Sequence, residues 1–536
     1  MRRGEGLGLA AVLAFVCLAF VPFMGKAYHV DEPLFLAPAR HILAEPRRPL
    51  DFDFNWYGRR VPMSEINNTP PLTLYALAAG LKATGGAELP MRLFFLPFDL
   101  LAAAALYGLA RRFLSRPLLP ALIVIASPAY LVGMNLLYPE KLAAAFGFSG
   151  LYALVRGLDE RRPAWFWGSA ALLGAALLAK YAAALFLLPA AGFCLERGVG
   201  ARRLAGHLAA CLGGLGVYLL WDLCGRGASL AAAWTVTAGA SGMPWSGAAH
   251  KLRSLLAFMG GCGPAVAVWP LLALRPRVRV LSLLCAAVLV VFLPWLDLAP
   301  LVRPVDRLTG VIFSAGPLCA LWWLCRGAPR PQGWALWAPW TLAVLLLLGC
   351  VYWSIMARLV VFVLPPLVFA MAESLEARLA PGRLGRLYGT TLAGVLALSL
   401  ALALVDYRHA GAQKALAAQV SEKYLARGRS VWCVSHWGLQ YYLEQAGARV
   451  MDFARGGWSL VRPGDVAVSA RVNSNYQPPK SPLFADVSRL TVYEPIPLRL
   501  ISGWSGEGGF YSNVTGFLPY SLSREPLEEF TIVEAL

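Results

Sequence analysis

YHVDEPLFLA, residues 28–37, follows directly on the first long apolar run of the chain, MRRGEGLGLAAVLAFVCLAFVPFMG (residues 1–25). Two adjacent acids, Asp31 and Glu32, therefore stand at the mouth of a hydrophobic segment. A carboxylate beside hydrocarbon is costly, so it needs solvent, a partner or a chemical task. The surrounding protein decides which. Of 536 residues, 58% are hydrophobic and 15% charged, and the mean hydropathy is +0.57. Soluble chains carry about 25% charged residues. The chain thus reads as an α-helical polytopic membrane protein.

Spans of about 20 apolar residues are predicted near 6–24, 90–110, 117–135, 139–156, 164–180, 181–196, 203–223, 252–274, 278–297, 309–325, 334–354, 358–375 and 387–405, about thirteen in all. The first is an uncleaved signal-anchor rather than a signal peptide, because no small-residue cleavage site follows it. The net charge of +18 comes from basic clusters such as ARRFLSR, RGLDERRP and EARLAPGRLGR. They recur in short loops on one side of this alternation, as the positive-inside rule requires. That assigns the N-terminus to the cytoplasm, accounts for the charge and leaves nucleic acid out as a partner.

Residues 1–406 form a transmembrane domain in this reading. Residues 25–88 are its first outer loop, in which PPLTLYALAAGLKATGG is an interfacial helix. Residues 407–536 form a small extracytoplasmic α/β domain. There SVWCVSHW, ARVMDF, GDVAVSA and EEFTIVEA read as strands and GLQYYLEQAG as a helix ending at Gly447.

Five ionisable residues fall on the predicted outer face, each abutting an apolar run: Asp31, Glu32, Glu140, Lys180 and Arg358. A single one is most simply an interfacial residue whose head reaches water. Five together make a mixed acidic and basic site. Lys and Arg hold a phosphate, Arg bidentately, and a carboxylate takes a proton from an attacking hydroxyl. This suits transfer of a sugar from a lipid-linked phosphate. His29, Tyr57 and Asn68 are candidate substrate contacts beside the acids, although loop polar residues commonly just face water. Neither a CxxC nor a Cys/His cluster occurs, so no residue is assigned to a metal. A divalent cation between acids and phosphate is compatible with the chemistry.

HVDEPLFLAPARHIL followed by NTPPLTLYALAAGLKATGGAELPMRLFFLPFDLLAAAALYGLARR resembles the opening of GT-C membrane glycosyltransferases of the aminoarabinose transferase and protein O-mannosyltransferase type. Thr69 stands where that family commonly has His. ASPAYLVGMNLLYPEKLAAAFGFSGLYALVRG resembles the family's next helix pair, which maps its second acid to Glu140. LLGAALLAKYAAALFLLPA carries over Lys180, and ARLVVFVLPPLVFAMAE carries over Arg358. The resemblance implies a bacterial inner-membrane enzyme making an inverting transfer from a polyprenyl-phosphate sugar to a lipid, glycan or protein acceptor. It also implies Asp31 as general base, Glu32 and Glu140 as further catalytic acids, and Lys180 and Arg358 as holders of the donor phosphate. Two other readings compete. A transporter or flippase of a lipid-linked saccharide would place its charges near the bilayer midplane. A non-catalytic scaffold would leave Asp31, Glu32 and Glu140 without a shared site.

Overall fold

The computed structural model describes residues 3–226, 245–273, 276–292, 302–326, 331–472 and 484–536. Among them, six helices are long and apolar enough to cross a membrane: Gly6–Phe23, Glu88–Phe113, Ala201–Leu223, Pro304–Cys325, Trp334–Val351 and Pro381–Arg427. A seventh results if Gly247–Cys262 and Pro264–Leu272, bent by 89° at Gly263, count as one span. The other expected spans are not single long apolar helices among the described residues, for identifiable reasons. The 117–135 run breaks at Ser127-Pro128 into Leu118–Ala126 and Pro128–Leu131. The 358–375 run splits into Ala357–Val360 and Leu364–Glu376. A proline has no N–H to continue the ladder and disfavours a helical residue before it. The predicted 164–180 and 181–196 spans form Pro163–Ala179, of 17 residues, then a 3-10 stretch and a ten-residue helix. The Pro139–Asp159 helix is long enough but carries Glu140, Lys141, Arg156 and Asp159. The predicted 278–297 span is helical to Phe292 and then passes outside the described residues. Broken helices remain compatible with a bilayer where protein rather than lipid surrounds the freed backbone groups.

The 25–88 segment is more structured than its sequence announced. It holds the Glu32–Ala44 helix, a hairpin of Asp53–Trp56 with Arg59–Pro62, and the expected apolar helix, Pro71–Thr84. The hairpin turns on Tyr57-Gly58, both at positive φ (58° and 69°), the mirror-image turn that matches strand twist. Gly58 is required twice over, because a Cβ there would come within 2.6 Å of the Phe453 ring.

The helix Pro381–Lys423 runs unbroken through residues 406 and 407, carrying the chain out of the bundle into the tail. The tail builds a five-stranded mixed sheet in the order Arg449–Val450, Val431–Cys433, Val466–Ala470, Glu528–Ala535, Phe484–Val492. The first three strands are parallel and the last two pair antiparallel. One face of this sheet buries Val431, Val466, Val468 and Phe530 against Leu416 and Val420 of the long helix. Burial of each such side chain is worth about 1.5–3 kcal/mol, so sheet and helix end are one unit.

Candidate active site

Asp31 ends the loop before the Glu32–Ala44 helix, with Glu32 in its first turn and Pro33 beside it, a helix-start pattern. An Asp in that position ordinarily caps the helix with its side chain. Here it makes no cap bond, and its carboxylate turns away to Arg358. Val30, just before it, has φ +51°, a strained conformation for a β-branched residue. Backbone strain of this kind persists where the surroundings over-determine it.

The surroundings do so. Arg92, fully buried, donates from Nη2 to both oxygens of Glu32 at 2.8 and 3.0 Å, from Nε to the Asn135 carbonyl, and from Nη1 to the Met24 and Lys26 carbonyls. Glu32 also accepts from the backbone N–H of His29 at 3.0 Å and of Leu137 at 3.1 Å. The Asp31 N–H donates to the Tyr138 hydroxyl at 3.1 Å. The tail helix Trp437–Gln445 adds a brace, since the Tyr28 N–H donates to the Tyr442 hydroxyl at 2.8 Å. A Cβ on Gly438 would overlap the Tyr28 carbonyl oxygen, so only glycine permits this approach.

Four charged side chains from four separated segments then meet in a chain of alternating sign. Arg358 Nη1 donates to Asp31 Oδ2 at 2.8 Å, and Arg358 Nε lies 3.0 Å from Glu140 Oε1. Lys180 Nζ donates to the same Glu140 oxygen at 2.9 Å. The Arg358 guanidinium lies over the Tyr138 ring at 4.5 Å and the Lys180 ammonium over Tyr352 at 5.6 Å. Glu140 is buried (side chain 1% exposed), whereas Asp31, at 21%, faces a cleft of about 370 Å³. Asp31, Lys180 and Arg358 line that cleft with Tyr57 and Asn68. Packing around the Tyr57 hydroxyl, and then the Asp31 carboxylate, push its pKa up to about 12, so it stays a neutral hydrogen-bonding group.

Glu32 and His29 lie behind the cleft and do not line it. Glu32 anchors the loop through Arg92. His29 is fully buried, its Nδ1 3.3 Å from Gln413 Oε1 and its ring against His409, Trp437 and Tyr511. Burial, then the neighbouring His409, lower the His29 pKa well below its ordinary value, so the folded protein holds it neutral. The unfolded chain takes up that proton below about pH 6.5. The His29 contribution is therefore fully present above that pH and is lost as pH falls, by up to about 1.4 kcal/mol per unit. Wild-type protein should lose unfolding temperature between pH 7.5 and 5.5 more steeply than His29→Phe, and equal slopes would refute the assignment.

Sequence reasoning missed several cleft residues. Trp353 lines the cleft with Tyr352 and Met356; Trp56 comes from the hairpin and Glu65 from the short helix Met63–Ile66 after it. The 352–358 segment is held by GGFYSNVTGFLPYSL (residues 508–522). There the Ala357 N–H donates to the Phe510 carbonyl at 3.0 Å, the Ile355 N–H to Asn513 Oδ1 at 2.9 Å, and Ser354 and Ser512 share a hydrogen bond at 2.7 Å. The tail thus braces both loops that carry the Asp31–Arg358 pair. Among the described residues, no three His, Cys, Asp or Glu side chains group as metal ligands.

Residues 68–223 match the family model described as dolichyl-phosphate-mannose-protein mannosyltransferase. The match bears out the resemblance read from the residues, and it contains Asn68, Glu140 and Lys180. Two of the solved structures similar to the chain are of one protein. One is ArnT from Cupriavidus metallidurans bound to undecaprenyl phosphate, 17% identical, with 88% of this chain and 94% of that chain covered and a TM-score of 0.43. The other is the same protein in the apo state, 17% identical, with 87% and 92% covered and a TM-score of 0.41. No curated protein sequence matches.

Proposed function

We propose that this integral membrane protein, whose residues 68–223 match a glycosyltransferase family, moves a sugar from a polyprenyl-phosphate donor to an acceptor hydroxyl at the outer membrane face, with inversion. The observation that carries the reading is the chain Asp31–Arg358–Glu140–Lys180, of which Asp31, Arg358 and Lys180 line one cleft. Two acids balance two cations there. An ammonium has three N–H donors and a guanidinium five, so both cations keep donors for a phosphate after serving Glu140 and Asp31.

Donor binding and base activation are coupled in this scheme. Without substrate, Arg358 neutralises Asp31. A donor phosphate competes for the guanidinium and frees the carboxylate. The acceptor O–H then gives its proton to Asp31, and its oxygen forms a bond to the anomeric carbon. The bond from that carbon to the phosphate oxygen breaks on the opposite face, its electron pair leaving with the polyprenyl phosphate. Lys180 and Arg358 stabilise the charge that develops on that oxygen. Glu140 is a positioning residue, holding both cations from beneath. Glu32 fixes the Asp31 loop through Arg92, and Tyr57 and Asn68 are placed to hydrogen-bond sugar hydroxyls. In the proposed topology the N-terminus is cytoplasmic and the tail is outside.

The test is transfer of a radiolabelled sugar from a polyprenyl-phosphate donor to an extracted acceptor, in membranes containing the protein. Arg358→Ala should weaken donor binding by about 1.5–3 kcal/mol, the value of a hydrogen bond to a charged group. Unaltered donor affinity in that variant would remove Arg358 from the phosphate site.

A further inference from the structure

The Glu32–Ala44 helix has a second cleft on its other face, of about 420 Å³, within the range of small-molecule sites. Pro33, Ala37 and Arg40 form one wall, at the three- and four-residue spacing that shares a helix face. Asp31, Leu34 and Phe35 look into the first cleft instead. The tail helix supplies the facing wall, with Trp437, Tyr441 and Glu444, and the hairpin strand closes the rim with Asp53 and Phe54.

Trp437 is the unusual member of this site. It is 7% exposed, yet its indole Nε1 has no hydrogen-bond partner. An indole N–H is only a donor, and a buried donor without an acceptor costs about 1–3 kcal/mol. Its backbone is strained as well, at φ +58°. Local packing enforces that conformation through Gly438, which sits against the Tyr28 carbonyl. An aromatic wall held in a strained conformation beside a cavity is a built feature.

The charges select the ligand. Arg40, the cation of the cleft, already donates to the Tyr441 hydroxyl at 2.5 Å and lies 4.9 Å over that ring. A phosphate or carboxylate would meet Asp53 and Glu444 beside that single cation. Asp53 is paired with Arg455 at 3.7 Å, which leaves the exposed Glu444 carboxylate and the aromatic side chains of the wall. A pyranose ring matches both: its C–H face packs on an aromatic side chain and its hydroxyls donate to the Glu444 carboxylate. Phe54 also stacks on Trp56 at 6.1 Å, and Trp56 lines the first cleft, so one strand is the wall of both.

We infer that this second cleft binds a pyranose ring and, resting on the transfer reading above, that the ring belongs to the acceptor at a distance from its reacting hydroxyl. Binding energy from such a remote ring helps orient the reacting group.

The experiment uses full-length protein in nanodiscs and saturation-transfer NMR with maltose, gentiobiose and N,N′-diacetylchitobiose, with mannitol as control. At least one disaccharide should receive saturation from wild type and from Asp31→Asn. Glu444→Gln and Phe54→Ala, combined, should weaken that binding by about tenfold, through one lost aromatic contact and one lost charge-assisted hydrogen bond. Glu444→Gln alone, at an exposed position, should weaken it in the same direction without disturbing packing. The inference is overturned if no disaccharide exceeds mannitol on wild type, if the variants bind as wild type does, or if Asp31→Asn abolishes binding. In transfer assays the double variant should raise KM for a saccharide acceptor with kcat unchanged; an unchanged KM would remove the acceptor role. Saccharide bound in this cleft with no transfer from any polyprenyl-phosphate sugar would overturn the transferase reading and leave the pyranose site standing.

Discussion

Replacing Asp31 by Asn is expected to slow sugar transfer by about 10²–10⁴-fold, the usual contribution of a general base, while donor binding stays near the wild-type value. The substitution keeps the size of the side chain and removes its basicity. It also removes the carboxylate that Arg358 neutralises at 2.8 Å. Arg358 would then be free for the phosphate, so donor affinity should hold or rise slightly. That separation of rate from affinity distinguishes a base from a residue that merely shapes the cleft. The measurement is single-turnover transfer with saturating donor, normalised to the amount of protein in the membrane. Transfer at the parental rate would reduce Asp31 to an interfacial acid with an arginine partner.

The second large effect is expected at Arg92. Arg92 and Glu32 have fully buried side chains 2.8 Å apart. Arg92→Met leaves the Glu32 carboxylate buried without its cation, which costs about 3–5 kcal/mol. The protein should unfold at a markedly lower temperature in detergent or fail to accumulate. Arg92→Met combined with Glu32→Leu removes both charges and should recover much of that loss, because an apolar pair of similar volume is often neutral. Recovery should stop short of wild type, since the N–H groups of His29 and Leu137 lose their acceptor. Activity of the double variant should remain low, because those bonds hold the Asp31 loop. A single variant as stable as wild type would show that the pair does not anchor the loop.

The membrane class, the acids beside apolar runs and the strands of the tail were legible in the chain itself. Hydropathy, charge alternation and two-residue periodicity are local properties, and a stretch such as VAVSA (residues 466–470) is a strand here as expected. The five charged candidates were also legible, because ionisable residues beside apolar runs are rare enough to stand out. The continuity of its helices was not. Hydropathy sees an apolar run whether it crosses a membrane or turns back, and Ser127-Pro128 and Gly263-Pro264 break runs that composition alone joins.

The partners of the charges were beyond the sequence altogether. Asp31 and Arg358 are 327 residues apart, and nothing in either neighbourhood names the other. Two adjacent acids, alike in sequence, received different environments: Asp31 faces a cleft, and Glu32 is sealed against Arg92. The cause is geometric, since the strained turn at Val30 and the helix that starts at Glu32 send consecutive side chains in different directions. The tail's grip on the 28–31 and 352–358 loops is likewise a property of packing between distant segments. Local chemistry determined what kind of residues this protein would bring to its cleft; the folded chain alone decided which of them meet.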